Sequence, residues 1–170
     1  MTAVLARLRD RVSARQRYAL IALICVLLIA YALYLQYVHE LEPCPLCILQ
    51  RYAFVLVGLA AGIAAALPSP RAARVVAGLG VLLALIGAGM AGWHVKLQLF
   101  PPEVSSCGPG LAYMIAELPL GRALPRIFQG GGACTVVDWS FLGLSMPAWS
   151  LIWLLLLAAA LWFALRQRAA

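Results

Sequence analysis

Four stretches of this chain are long and apolar enough to cross a lipid bilayer. A helix needs roughly 20 residues to span the ~30 Å hydrocarbon core. Of the 170 residues, 65% are hydrophobic and 11% are charged, more apolar surface than a water-soluble domain of this size can bury. The predicted spans are Tyr18–Val38, Ile48–Leu67, Val75–Val95 and Pro147–Leu165. The sequence therefore predicts an all-α membrane protein, a single four-helix bundle over residues 1–170 with outer loops 39–47 and 96–146.

The distribution of charge predicts how this bundle is oriented. The net charge is +7, and nine of the thirteen basic residues precede the first span, join spans two and three, or follow span four. They are Arg7, Arg9, Arg11, Arg15, Arg17, Arg71, Arg74, Arg166 and Arg168. By the positive-inside rule both termini are cytoplasmic and both outer loops lie on the opposite side of the membrane. The positive charge is thus explained by topology in a lipid bilayer, and nucleic-acid binding is not predicted.

A C-x-x-C pair, Cys44 and Cys47, begins the second span. Such a pair serves as a redox dithiol, as half of a metal site or as a structural staple. A bridge within four residues closes a very short loop, so it removes little entropy from the unfolded chain. Its tight geometry also favours easy reduction. The spacing therefore favours a redox function, with the electrons passing to an acceptor dissolved in the membrane.

Three further cysteines complete the set. Cys25 lies in the middle of the first span, where a thiol packs as a small hydrophobe. Cys107 and Cys134 lie in the long outer loop, and in an oxidising compartment the four outer cysteines are expected to form disulfides. Three pairings are possible in principle, of which the pairing of neighbours is the simplest. Alternatively, a Cys107–Cys134 bridge could have only a structural role and hold the loop together. No metal site is predicted, because zinc ribbons use two closely spaced pairs.

Two more polar residues are candidates for the site. Arg51 lies one helical turn beyond Cys47 and on the same face, where its guanidinium and the helix N-terminus would both stabilise a Cys47 thiolate. It could also bind a carbonyl oxygen that gains charge on reduction. The alternative is an interfacial anchor, although ionisable residues within spans are usually functional. His94 ends the third span on the same outer side and is either a quinone hydrogen-bond partner or an ordinary interfacial histidine.

These motifs together resemble the DsbB family of membrane thiol–quinone oxidoreductases. The segment Glu42–Arg51 is similar to the first periplasmic loop of that family. The segment Cys107–Met114, the later Cys134 and the segment Trp139–Trp149 are similar to its second loop. Cysteine number, order, spacing and topology agree together, and the resemblance covers both loops and all four spans.

The resemblance implies a relay of disulfide exchanges. Reduced DsbA, a periplasmic protein of the thioredoxin fold, would attack a Cys107–Cys134 disulfide and form a mixed disulfide at Cys107. The released Cys134 would attack Cys44 and open a Cys44–Cys47 disulfide.

The resemblance also implies the electron acceptor. The Cys47 thiolate would pass two electrons to ubiquinone from the membrane quinone pool, or to menaquinone under anaerobic conditions. Arg51, His94 and Cys47 would form the quinone site.

Three alternatives remain open at the level of sequence. A membrane oxidant of the same kind could serve a dedicated partner in place of DsbA. A quinone-epoxide reductase also combines four spans with C-x-x-C, but its active pair lies late in the chain and within a span. The third alternative is a membrane scaffold whose two disulfides are only structural.

Overall fold

Four long helices form the framework of the molecule. The computed structural model describes residues 13–41, 43–101, 132–137 and 139–166. The long helices are α1 (Ala14–Val38), α2 (Pro45–Ala66), α3 (Pro70–Leu99) and α5 (Met146–Arg166). Between α3 and α5 lie a short helix, α4 (Gly132–Thr135), and two strands, β1 (Ser140–Phe141) and β2 (Leu144–Ser145). All four long helices are long and apolar enough to cross a membrane, which confirms the predicted four-helix fold class.

The starts of the first two long helices follow from local capping chemistry. Ser13 caps α1 through a reciprocal pair of hydrogen bonds with Gln16, so α1 begins four residues before the predicted span. Pro45 occupies the first position of α2, where its missing N–H costs nothing, and Cys44 is the N-cap. The α2 helix therefore begins three residues before the predicted span.

The helices pack through alanine and glycine. The central helix α3 lies against α2 and α5, and α1 lies against α2. A Cβ added at Gly87 would lie 2.7 Å from the Cβ of Ala53 in α2, and one added at Gly58 would lie 2.9 Å from the Cβ of Cys25 in α1. These two glycines allow the backbones to approach closely, as expected of small residues in lipid. Cys25 is buried in this packing, in agreement with its predicted role.

Other glycines of α3 have no such function in the described chain. Nothing described lies within 4 Å of a Cβ added at Gly78, Gly89 or Gly92. These three glycines therefore mediate no close helix contact within the described residues.

A small hairpin leads into α5. Ser140 pairs with Ser145 and Phe141 with Leu144, and the turn places Leu142 and Gly143 at positive φ of 52° and 78°. The indole N–H of Trp149 donates to the Phe141 carbonyl at 3.1 Å, which ties the hairpin to α5. This segment belongs to the long loop predicted from the sequence. From the sequence, Leu111–Leu118 in the same loop could form a short helix, but these residues lie outside the described ones.

A candidate thiol redox site at one end of the bundle

Cys44 and Cys47 are in contact at the start of α2. Their sulfur atoms are 3.0 Å apart, and the backbone N–H of Cys47 donates to the Cys44 sulfur at 3.3 Å. Cys44 thus caps the helix with its sulfur, at the positive end of the helix dipole. Both residues carry free thiols here, and a disulfide would need the sulfurs to approach to about 2.05 Å. The pair is therefore positioned for reversible oxidation.

Cys134 joins this pair from a distant part of the sequence. It lies in α4, is fully buried, and packs in one cluster with Cys44, Leu46 and Leu97. A hydrogen bond to Cys44 and then burial raise the pKa of the Cys134 thiol far above its usual range. The Cys134 thiol is therefore protonated at neutral pH. Its sulfur packs against Cys44, the residue with which it would exchange a disulfide bond.

His94 lies against Cys44 from the side of α3. Its imidazole is buried, with Nε2 3.7 Å from the Cys44 sulfur and Nδ1 3.0 Å from the amide of Gln50. Gln50 is also buried, so the pair fixes the orientation of the ring. Gln50 was not predicted from the sequence, although an amide between Cys47 and Arg51 in an apolar span is itself a signal.

Arg51 is held inside the bundle by α1. Its guanidinium donates to the Gln36 side chain and to the Ala32 carbonyl, the latter at 3.2 Å. The partners are protein groups of the neighbouring helix, which is unlike an arginine that extends to lipid headgroups. Gln36 is a second residue missed at the level of sequence, because its role depends on how α1 and α2 pack.

A cavity of about 360 Å³ opens beside Cys47 and Arg51. Its walls come from α1, α2, α5 and the hairpin and are mostly apolar or aromatic. Tyr31, which lines the cavity, is also 51% exposed, so one wall residue of the cavity reaches the surface of the bundle. The aromatic residues that line it are Tyr31, Phe54, Trp139, Phe141, Trp149 and Trp153. Volume and lining suit a flat apolar ligand with a few polar atoms.

The predicted site residues divide between this cavity and a smaller one. Cys47 and Arg51 line both, whereas Cys44 and His94 line only the second, of about 60 Å³. The structure thus brings five of the six predicted site residues to one end of the bundle. The sixth, Cys107, lies outside the described residues. His94 contacts the dithiol and not the larger cavity, so its quinone contact stays a prediction.

Comparison with known sequences shows the family to which the chain belongs. Residues 14–164 match the sequence profile of the family described as Disulfide bond formation protein DsbB. A protein named Disulfide bond formation protein B from Azoarcus sp. (strain BH72) is 52% identical over 130 residues, which cover 75% of this chain and 78% of that protein. A protein of the same name from Methylococcus capsulatus is 51% identical over 151 residues, covering 86% and 91%. The chain therefore belongs to the DsbB family of membrane proteins that form disulfide bonds.

Proposed function

We propose that this protein reoxidises a DsbA-like periplasmic dithiol protein and passes the electrons to ubiquinone, or to menaquinone in its place. The observation that carries the proposal is the position of the Cys44–Cys47 pair. Cys134 lies against Cys44, and the apolar cavity opens beside Cys47. Electrons can therefore enter the pair at one sulfur and leave at the other.

The first exchanges follow from the relative stability of the thiolates. A partner thiolate that attacks Cys107 of a Cys107–Cys134 disulfide releases Cys134 as a thiolate. Burial makes that thiolate unstable and, because basicity and nucleophilicity rise together, strongly nucleophilic. It attacks the sulfur of Cys44, forms a Cys44–Cys134 disulfide and releases the Cys47 thiolate.

His94 and Gln50 support the exchange at Cys44. Negative charge develops on the Cys44 sulfur when Cys44 is the leaving group, as when the Cys44–Cys134 disulfide is broken by attack on Cys134. An imidazole that holds a proton at Nε2, 3.7 Å away, would stabilise this charge together with the Cys47 backbone N–H. This role explains a buried histidine against Cys44 better than a direct hydrogen bond to quinone does.

The larger cavity fits a quinone ring. When bound, a quinone supplies a two-electron acceptor beside the Cys47 thiolate. The aromatic walls can hold a flat ring, and Arg51, fixed by Gln36 and Ala32, offers its guanidinium to a ring oxygen. Tyr31 reaches the surface of the bundle beside this cavity, which suits a ligand that arrives from within the bilayer.

An absorption spectrum and a turnover assay test the proposal together. Purified protein with ubiquinone should oxidise reduced DsbA, and on addition of reduced DsbA it should show a visible band from the released Cys47 thiolate in contact with the quinone. Cys47→Ser should lose both properties. Cys25→Ser, which alters a thiol buried in the helix packing, should keep both. Quinone reduction by the Cys47→Ser variant at the parent rate would contradict the proposal. Turnover with a dedicated partner but not with DsbA would show that the protein oxidises that partner in place of DsbA.

A further inference from the structure

A third cavity lies at the opposite end of the bundle. It has a volume of about 400 Å³ and is enclosed by the start of α1, the end of α2, the α2–α3 turn, the start of α3 and the end of α5. This is the end that the positive-inside rule assigns to the cytoplasm. Of the described residues that line it, two are arginines, Arg15 and Arg74, and none is acidic. The redox reaction proposed above uses no residue of this cavity.

The start of α3 adds positive potential to the cavity. The N-cap Ser69 makes no capping hydrogen bond with its side chain in the described chain, and the first turn contains no acidic residue. The first N–H groups of a helix have no partner within it, and together they carry about half a positive charge. Pro70 and Arg74, which both line the cavity, place it directly at this helix end.

Arg15 offsets the negative potential at the C-terminal end of α2. Its Nε donates to the Ala65 carbonyl at 2.6 Å and its Nη2 to the Ala66 carbonyl at 3.3 Å, at the end of α2. The carbonyl groups at a helix C-terminus would repel an anion, and the guanidinium covers them. The same bonds fix the arginine at the cavity wall.

Tyr18 is an independent indication that a ligand belongs here. Its side chain is only 3% exposed, yet it lines the cavity and makes no hydrogen bond within the described part of the chain. Because no fully buried side-chain oxygen of the described residues lacks a hydrogen-bond partner, the unpaired Tyr18 hydroxyl is accessible from the cavity. Arg74 is near enough to act on the Tyr18 hydroxyl electrostatically, so a single acceptor in the cavity could engage both residues.

We propose that this cavity binds the phosphate group of an anionic phospholipid from the adjoining leaflet. Phosphate oxygens would accept hydrogen bonds from Tyr18 and Arg74, in the positive potential at the start of α3. The apolar part of the wall, which includes Leu67, Ala73 and Ala164, suits the glycerol and acyl segments. A choline headgroup fits poorly, because its ammonium would lie among arginines. Basic pockets between membrane helices are known to select acidic lipids in this way.

Lipid titration of the full-length protein tests the assignment. The chain is delipidated in a neutral detergent and titrated with phosphatidylglycerol or phosphatidylcholine, and bound lipids are counted by native mass spectrometry. Phosphatidylglycerol should bind at least about fivefold more tightly than phosphatidylcholine, and Arg74→Gln should remove most of that preference. Equal binding of the two lipids by the parent would overturn the proposal.

Two matched variants separate the cavity from general surface charge. Arg71→Gln removes the same charge from the same helical turn, but Arg71 does not line the cavity, so binding should change less than about twofold. Tyr18→Phe removes only the hydroxyl and should weaken phosphatidylglycerol binding, while thermal unfolding without lipid stays unchanged. Equal losses in Arg71→Gln and Arg74→Gln would show a diffuse surface effect and contradict the site.

Inorganic phosphate distinguishes a lipid from a free ion. The two share the phosphate chemistry, but only the lipid also has acyl chains for the apolar wall. Millimolar phosphate should therefore leave bound phosphatidylglycerol in place. Displacement of the lipid by such concentrations would overturn the lipid assignment.

Discussion

At the scale of single residues, the cysteines of the site differ in how well their surroundings stabilise a thiolate. Cys134 is buried and donates a hydrogen bond to Cys44, which disfavours its ionised form. Cys44 receives a backbone N–H at the helix start, and Cys47 lies one turn before Arg51. Disulfide exchange should therefore transfer the thiolate charge from Cys134 to the C-x-x-C pair, and the reverse exchange should be unfavourable.

The raised pKa of Cys134 leads to a prediction about pH. In fully reduced, quinone-depleted protein, alkylation of Cys134 by iodoacetamide should be slow at neutral pH. It should accelerate only as pH rises above the ~8.5 of a free thiol, since the protonated form persists below the raised pKa. Cys44→Ala removes the larger cause, the hydrogen bond, and should lower the alkylation midpoint. Peptide mass spectrometry reads the site directly. A parent midpoint at or below 8.5 would contradict the structure's account of this thiol.

Arg51 gives a second prediction at this scale. Arg51→Lys keeps the charge but loses the planar fork that reaches Gln36, Ala32 and a ligand oxygen together. Loss of one charge-assisted hydrogen bond corresponds to roughly a tenfold rise in the apparent KM for quinone. Turnover at saturating quinone should change much less. Steady-state assays over a quinone series measure both constants, and parent kinetics in the variant would return Arg51 to the class of interfacial anchors.

At the scale of elements, the sequence predicted the number and order of the spans, because uncharged apolar runs of about 20 residues are typical of membrane helices and rare in water-soluble domains. It predicted the end of α3 less well. The helix continues beyond Val95 to Leu99, since Lys96 turns back over the Trp93 ring at 4.8 Å and Leu97 is buried. The hairpin was missed because two-residue strands give no periodic pattern.

The packing of α3 can be tested with a matched pair of glycines. Gly87→Ala forces a methyl group against Ala53 and Leu154 and should destabilise the bundle by about 1–3 kcal/mol. Gly89→Ala, two residues away, meets nothing described within 4 Å, so it should be neutral or stabilise by up to about 1 kcal/mol through helix propensity. Unfolding by titration with a denaturing detergent gives both values. Equal destabilisation would mean that α3 packs in another rotation.

At the scale of the whole molecule, the contact between Cys44 and Cys134 was beyond reasoning from residues alone. Charge distribution predicted that both lie on the same side of the membrane, but not that they touch. The contact depends on α4, which rests against α3 and places Cys134 beside the N-cap of α2. Family resemblance implied the exchange between these two cysteines, and the geometry supplies a physical reason for it.

This contact predicts a specific trapped state. A reduced DsbA-like partner with a single reactive cysteine should attack Cys107 and cannot release itself. The freed Cys134 should then attack Cys44, because Cys134 packs against Cys44 and hydrogen-bonds to it. Acid quenching, alkylation and non-reduced peptide mass spectrometry should find equal amounts of a partner–Cys107 bond and a Cys44–Cys134 bond, with Cys47 alkylated.

Two variants make that result decisive. Cys44→Ser removes the sulfur that receives the freed Cys134 thiolate, so Cys134 should return to Cys107 and expel the partner, and little mixed disulfide should remain. Cys25→Ser should trap as the parent does, since Cys25 packs against Gly58 at a distance from the exchange. A partner linked to Cys44 would reverse the order of events. Persistence of the mixed disulfide in Cys44→Ser would show that the energy of the buried Cys134 thiolate does not drive the relay.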